Sequence, residues 1–197
     1  DISPLLQRKR VNFVCVPWML QELEKHGLIY DLKVEEDKIS LTFKNSRIKR
    51  CLTVSGQVLE LMIAAKMRAL TDSEGKHIYN DVRVGVVVDW DAFDEDSPIR
   101  TVNEIDIMAT KGARPIFISC KNGNFDANET YKLNTVSERF GAKYAKKVLI
   151  TTELDKLGDK AAYLRARMID MGIDLLEDVD AISDDKLERK LRSLYAN

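Results

Sequence analysis

The runs Asn103-Glu104-Ile105-Asp106-Ile107-Met108 and Pro115-Ile116-Phe117-Ile118-Ser119-Cys120-Lys121 set acids and a lysine on two otherwise apolar, strand-like segments. Side chains alternate faces along a strand, so Glu104 and Asp106 share one face while Ile105 and Ile107 take the other. In the second run Ser119 and Lys121 share a face opposite Ile116, Ile118 and Cys120. If Gly112-Ala113-Arg114 turns the two runs into a hairpin, two carboxylates and an ammonium group converge at one end. Such groups can hold a divalent cation and a phosphate together.

A further acid sharpens the pattern. Glu60 lies in Val58-Leu59-Glu60-Leu61-Met62-Ile63-Ala64-Ala65, a helical segment apolar nearly all round. A carboxylate in such company is costly unless paired, protonated or bound to a metal. The alternative is a helix-end glutamate that reaches solvent or a nearby lysine.

The rest of the chain must position these groups. Its 197 residues suffice for one large domain or two small ones, and 45% hydrophobic with 32% charged residues describes a globular protein. A net charge of −1 excludes a uniformly basic nucleic-acid binder. Nucleic-acid contact would fall to local clusters: Arg8-Lys9-Arg10, residues 44–50, and Lys143 with Lys146 and Lys147, each of which also reads as a solvated face. Cys15, Cys51 and Cys120 are widely spaced in apolar surroundings, as expected of reduced thiols in a cytoplasmic protein. No CxxC pair occurs, and His26 and His77 neighbour no nucleophile, which argues against structural zinc and histidine catalysis. No apolar run approaches the roughly 18 residues that span a bilayer. The first residue is Asp1 rather than Met, which predicts a processed product or a piece of a longer chain.

Residues 1–53 read as a small unit: a helix over 17–26 stopped by Gly27, then strands over 28–34, 38–43 and 48–54, compatible with a winged-helix piece or a packing module. Residues 54–197 form the second unit. It opens with a helix over 57–70 and a strand over 81–89 whose five valines predict burial on both faces. Residues 89–98 form an acidic loop; lacking a turn glycine and a closing glutamate, it is read as solvated, with Trp90 or Phe93 packed beneath. After the two opening runs come a helix over 129–140 closed by Gly141, a strand over 147–151, a helix over 160–171, an edge strand over 172–176 and a terminal helix over 184–195.

A helix carrying a glutamate, a Glu-x-Asp strand and a strand ending in Lys resemble the PD-(D/E)xK nuclease superfamily. The wording Ser55-Gly56-Gln57-Val58-Leu59-Glu60, Asn103-Glu104-Ile105-Asp106 and Ile118-Ser119-Cys120-Lys121-Asn122-Gly123 looks like one branch, the CRISPR ancillary nucleases. In that branch an N-terminal CRISPR-associated Rossmann-fold sensor for cyclic oligoadenylate precedes the nuclease. The resemblance covers roughly residues 55–151 and more weakly the flanks. It implies an α/β, restriction-endonuclease-like core with a mixed central sheet flanked by helices. Residues 1–53 would be the winged-helix-like connector, and the sensor has no counterpart here.

Carried over residue by residue, the resemblance makes Asp106 the anchoring metal ligand and Lys121 the motif lysine, which orients water or stabilises charge on the phosphate. Glu60 matches the supplementary helix glutamate, and Glu104 would be an outer ligand or a ligand through water. Ser119 departs from the pattern, which has Asp or Glu there, so Glu60 or Glu104 would have to compensate. Lys132 is the candidate to lean over the site from the next helix, or else a solvent-facing lysine. Cys120 is read as a buried thiol whose backbone carbonyl could ligate the metal. The resemblance implies Mg²⁺ or Mn²⁺, single-stranded DNA or RNA as substrate, with nicked duplex as a further option, and a homodimer in antiviral defence. Cyclic oligoadenylate would act only through the missing sensor. Two other readings stand beside it: a catalytically silent nucleic-acid-binding or dimerisation module, and a winged-helix regulator.

Overall fold

The computed structural model describes residues 15–35, 38–54, 56–90 and 101–194, with the side chains of Cys15 and Val16 left aside. The chain divides into two compact units, Asp1–Ser55 and Gly56–Asn197. No helix among the described residues is long and apolar enough to cross a membrane. Arg8-Lys9-Arg10 and most of the acidic loop, including Phe93, lie outside the described residues.

In the first unit helix α1 (Cys15–Lys25) precedes an antiparallel hairpin of β1 (Ile29–Val34) and β2 (Ile39–Phe43), followed by helix α2 (Ser46–Thr53). Leu20, Ile29 and Ile39 form its buried centre, with Leu23, Phe43 and Leu52 packed against it. The strand expected over 48–54 is a helix. Asn45 is its N-cap and accepts the Ile48 N–H at 2.9 Å, satisfying one of the donors a helix start leaves open.

The second unit has a five-stranded sheet between two helical layers. Helix α3 (Gln57–Ala69) is followed by β3 (Asp81–Asp89), β4 (Val102–Lys111) and β5 (Arg114–Lys121), then α4 (Ala127–Gly141), β6 (Lys146–Thr151), α5 (Asp159–Asp170), β7 (Ile173–Leu176) and α6 (Asp184–Ser193). The sheet order is β3-β4-β5-β6-β7. The first three strands pair antiparallel and the last three parallel, so the sheet is mixed and changes sense at β5. This is the α/β architecture the sequence predicts. Parallel neighbours need a crossover, and α4 and α5 supply the two required.

One face of the sheet packs on α3 and α6 through Leu59, Ile63, Met67, Leu187 and Leu191. The other packs on α4 and α5 through Leu133, Val136, Leu164 and Met168. The valine-rich β3 is an edge strand rather than one buried on both faces, and Val87 is 62% exposed. Valine's β-propensity fits edge and centre alike, so composition did not separate them.

A second difference lies near the acids. Val82 and Ile107 belong to the α3 side, whereas Ile105, with Val86 and Val88 beside it, belongs to the α4 side. Residues two apart on a regular strand share a face. The β3–β4 ladder therefore changes sides between the Val84–Ile107 and Val86–Ile105 pairs, at Gly85 and Asp106. Gly85 has φ of +64°, a left-handed value that glycine adopts without cost. Ile105 and Ile107 thus do not share a face as strict alternation predicts. Gly85→Ala is expected to destabilise the fold by about 1–2 kcal/mol, the usual penalty for a side chain at such a φ. Thermal unfolding should show a drop of roughly 3–6 °C.

Candidate active site

The β4–β5 ladder runs from Lys111–Arg114 to Ile107–Ile118. At the next step Asp106 and Ser119 meet through side chains: Asp106 Oδ2 accepts the Ser119 hydroxyl at 3.1 Å and the Cys120 backbone N–H at 2.7 Å. Lys121 Nζ approaches the same oxygen at 4.0 Å. A carboxylate oxygen thus holds the end of β5 against β4. Oδ1 takes part in none of these three contacts.

An open cleft of about 340 Å³ lies here, between the ends of β4 and β5 and the first turns of α4. Glu104, Asp106, Ser119 and Lys121 line it from the sheet; Glu129, Lys132, Leu133 and Val136 line it from the helix. The cleft lies at the carboxyl end of β5, the strand at which pairing changes from antiparallel to parallel. Glu104 is exposed, with Oε1 lying 3.3 Å from where a Cβ on Gly85 would stand. Lys132 is exposed to solvent and also borders the cleft.

Glu129 is the residue that sequence reasoning missed. Its Oε2 lies 2.5 Å from Lys121 Nζ, a much closer pairing than that of Lys121 with Asp106. Asp126 caps α4 by accepting the Asn128 N–H, which places Glu129 in the first turn. There the helix dipole favours a negative charge. The available signal was an acid in the first turn of the helix after the lysine strand, one turn before Lys132.

Glu60 is half-buried in the first turn of α3, and its Oε1 curls back towards Gly56. Its helix is less enclosed than its apolar sequence predicts, since Val58 and Leu61 are exposed while Leu59 and Ile63 are buried. Glu60 stands on α3 and is not among the residues that line the cleft. Its charge acts on Cys120, whose thiol is pushed well above its usual pKa by burial first, then by Asp106 and Glu60, against a smaller lowering by Lys121. A thiol held protonated is a poor nucleophile. Cys120 should therefore resist iodoacetamide at pH 8 in the folded protein and react fully once denatured, as peptide mass spectrometry would show. Cys51 is a half-buried free thiol rather than a core one.

The donor chemistry of the cleft suits a hard divalent cation. Glu104, Asp106 and Glu129 offer carboxylate oxygens, with Lys121 and Lys132 to balance charge. Among the described residues, the trio of acids whose oxygens lie within 4.8 Å of one another is elsewhere: Asp155, Glu177 and Asp178. Arg165 bridges Asp155 and Glu177, so that trio is already charge-compensated in part.

No protein-family model and no curated protein sequence matches the chain. Solved structures do. The crystal structure of protein VC1899 from Vibrio cholerae superposes with a TM-score of 0.69 at 18% identity, over 92% of this chain and 43% of that one. Can2 from Sulfobacillus thermosulfidooxidans, solved in complex with cyclic tetra-adenylate, superposes with a TM-score of 0.56 at 16% identity, over 99% of this chain and 52% of that one. The chain thus spans about half the length of these proteins or less. At such identities the likeness is one of fold: the α/β arrangement with a mixed central sheet flanked by helices is shared with Can2.

Proposed function

We propose that the second unit is a metal-dependent PD-(D/E)xK nuclease domain that hydrolyses phosphodiester bonds of single-stranded DNA or RNA, with Asp106 and Lys121 at its centre. The observation that carries this reading is the single cleft in which Asp106, Lys121, Glu104 and Glu129 meet at the end of β5. The sequence resemblance to the CRISPR ancillary nucleases, together with a fold shared with the cyclic tetra-adenylate complex of Can2, supports a role in CRISPR-linked defence. Residues 1–53 would then serve as connector to a cyclic-oligoadenylate sensor, and two copies would work as a homodimer in the cytoplasm.

Asp106, Glu104 and Glu129 would hold Mg²⁺ or Mn²⁺ in the cleft, with the Cys120 carbonyl at the strand end and Glu60 on α3 as further oxygen donors. When bound, the ion supplies Lewis acidity towards the phosphate and the attacking water. The protein contributes orientation and charge. The Cys120 N–H and Ser119 hydroxyl fix Asp106 Oδ2. Lys121, held between Asp106 and Glu129, neutralises negative charge building on the phosphate oxygens. Lys132 at the rim steers the strand, and salt should weaken that attraction. Ser119 cannot contribute a negative charge, and Glu129 takes over that part.

Calorimetric titration of Mn²⁺ into the chain and into Asp106→Asn separates this reading from a catalytically silent module. The nuclease reading predicts one binding event, weakened by about tenfold or more in the variant. Equal heats from both proteins would leave the silent module in possession.

A further inference from the structure

Beside the cleft, α4 and α5 carry a cluster of aromatic and cationic side chains that the chemistry above leaves unused. Tyr131 and Tyr163 are 42% and 48% exposed. Tyr131 adjoins Lys132 and follows Glu129 by two positions, both residues of the cleft. Tyr163 lies one helical turn beyond Lys160. Lys160 in turn lines an open depression of about 690 Å³ together with Lys121, Asn124, Phe125, Asp126 and Glu129. Lys121 and Glu129 are common to both hollows, so the surface is continuous from the cleft to α5.

The two phenols are neighbours: Arg167 foremost, and Tyr131 after it, hold the Tyr163 hydroxyl below its usual pKa. Arg167 stands 5.6 Å from the Tyr163 ring centre, and its Nε donates to the Tyr163 hydroxyl at 3.3 Å. Asp170 lies 3.7 Å from Arg167 and offsets part of its charge, whereas Lys160 is exposed on the same helix.

We infer that Tyr131, Tyr163, Lys160 and Arg167 form a stacking platform for a single nucleic-acid strand running out of the cleft, a subsite that rests on the nuclease reading. Exposed rings held in place present π-faces that stack any base, and neighbouring cations meet the phosphates between them. A duplex buries its base faces against one another and gains nothing from such rings. An apolar partner would leave the exposed Lys160 ammonium unanswered. The occupant that matches both features is an unpaired strand, of DNA or RNA.

The test is fluorescence anisotropy with labelled dT20, rU20, an abasic strand of the same length and a hairpin duplex, all in EDTA so that nothing is cut. Tyr163→Ala and Tyr131→Ala should each weaken dT20 or rU20 binding by about tenfold. Tyr163→Phe, which keeps the ring, should stay within about twofold of wild type. Neither alanine variant should alter binding of the abasic strand or the duplex. Which of dT20 and rU20 binds more tightly assigns the sugar. Unchanged dT20 and rU20 binding in both alanine variants overturns the platform, and so does an equal loss on duplex. A separate Mn²⁺ cleavage assay keeps the two ideas apart: tyrosine-dependent strand binding without cutting sinks the nuclease and keeps the platform, whereas cutting with binding indifferent to the tyrosines does the reverse.

Discussion

Asp106→Asn is expected to lower single-strand cleavage by about a thousandfold while leaving the protein folded. The size follows from the several kcal/mol that a held cation contributes to a phosphoryl transition state, at about 1.4 kcal/mol for each factor of ten. Asparagine is the informative change because its amide oxygen can still accept the Cys120 N–H that Asp106 Oδ2 takes at 2.7 Å. Alanine would remove that acceptor and leave a buried donor unsatisfied, costing about 1–3 kcal/mol of stability by itself. Thermal unfolding run beside the rate measurement should show Asp106→Asn close to wild type and Asp106→Ala lower. A rate for Asp106→Asn within a few-fold of wild type would mean that the carboxylate serves only to hold β5.

The second large effect concerns the acid that the lysine strand lacks. On the proposed nuclease reading Ser119 stands where the motif has a carboxylate, and Glu129 reaches Lys121 from the neighbouring helix. Glu129→Gln should therefore reduce cleavage by about a hundredfold, the order lost when one oriented charge contact is removed from such a site. The pairing makes a sharper forecast. Ser119→Glu in the Glu129→Gln background should recover at least tenfold, because it returns a negative charge to the same cleft. On its own, Ser119→Glu sets a second carboxylate beside Asp106, where Ser119 Oγ now lies at 3.1 Å. Like charges that close repel, so the variant should melt lower in EDTA and regain stability with Mn²⁺. Recovery absent in the double variant, with normal folding, would show that Glu129 acts on Lys121 alone and not as the replacement acid.

The features legible in the sequence were those set by local periodicity. Alternation over 115–121 set Ser119 and Lys121 on one face, and the glycine-containing turn brought them to the same hairpin end as Glu104 and Asp106. Apolar runs bounded by turn residues marked β5 and β6, whose central residues are buried on both faces. What escaped depended on distant parts of the chain. Glu129 looked like any first-turn acid until α4 folded back across β5 and brought it to Lys121. The change of face at Gly85 and Asp106 needs a left-handed backbone that no alternation pattern encodes. Helix α2 was misread because Asn45 signals a turn and a helix cap equally well, and only its hydrogen bond to Ile48 decides which. The position of β3 at the sheet edge, with the same valines a central strand would carry, depends on strand order rather than residue type.

The most direct measurement is a time course of labelled single-stranded DNA and RNA with the chain in Mn²⁺, Mg²⁺ or EDTA, beside Lys121→Ala. The account predicts cutting in either metal, none in EDTA, and a loss of about a hundredfold or more in the variant. Cutting that persists in EDTA, an unaltered rate in Lys121→Ala, or intact strands with the wild type in both metals would contradict it.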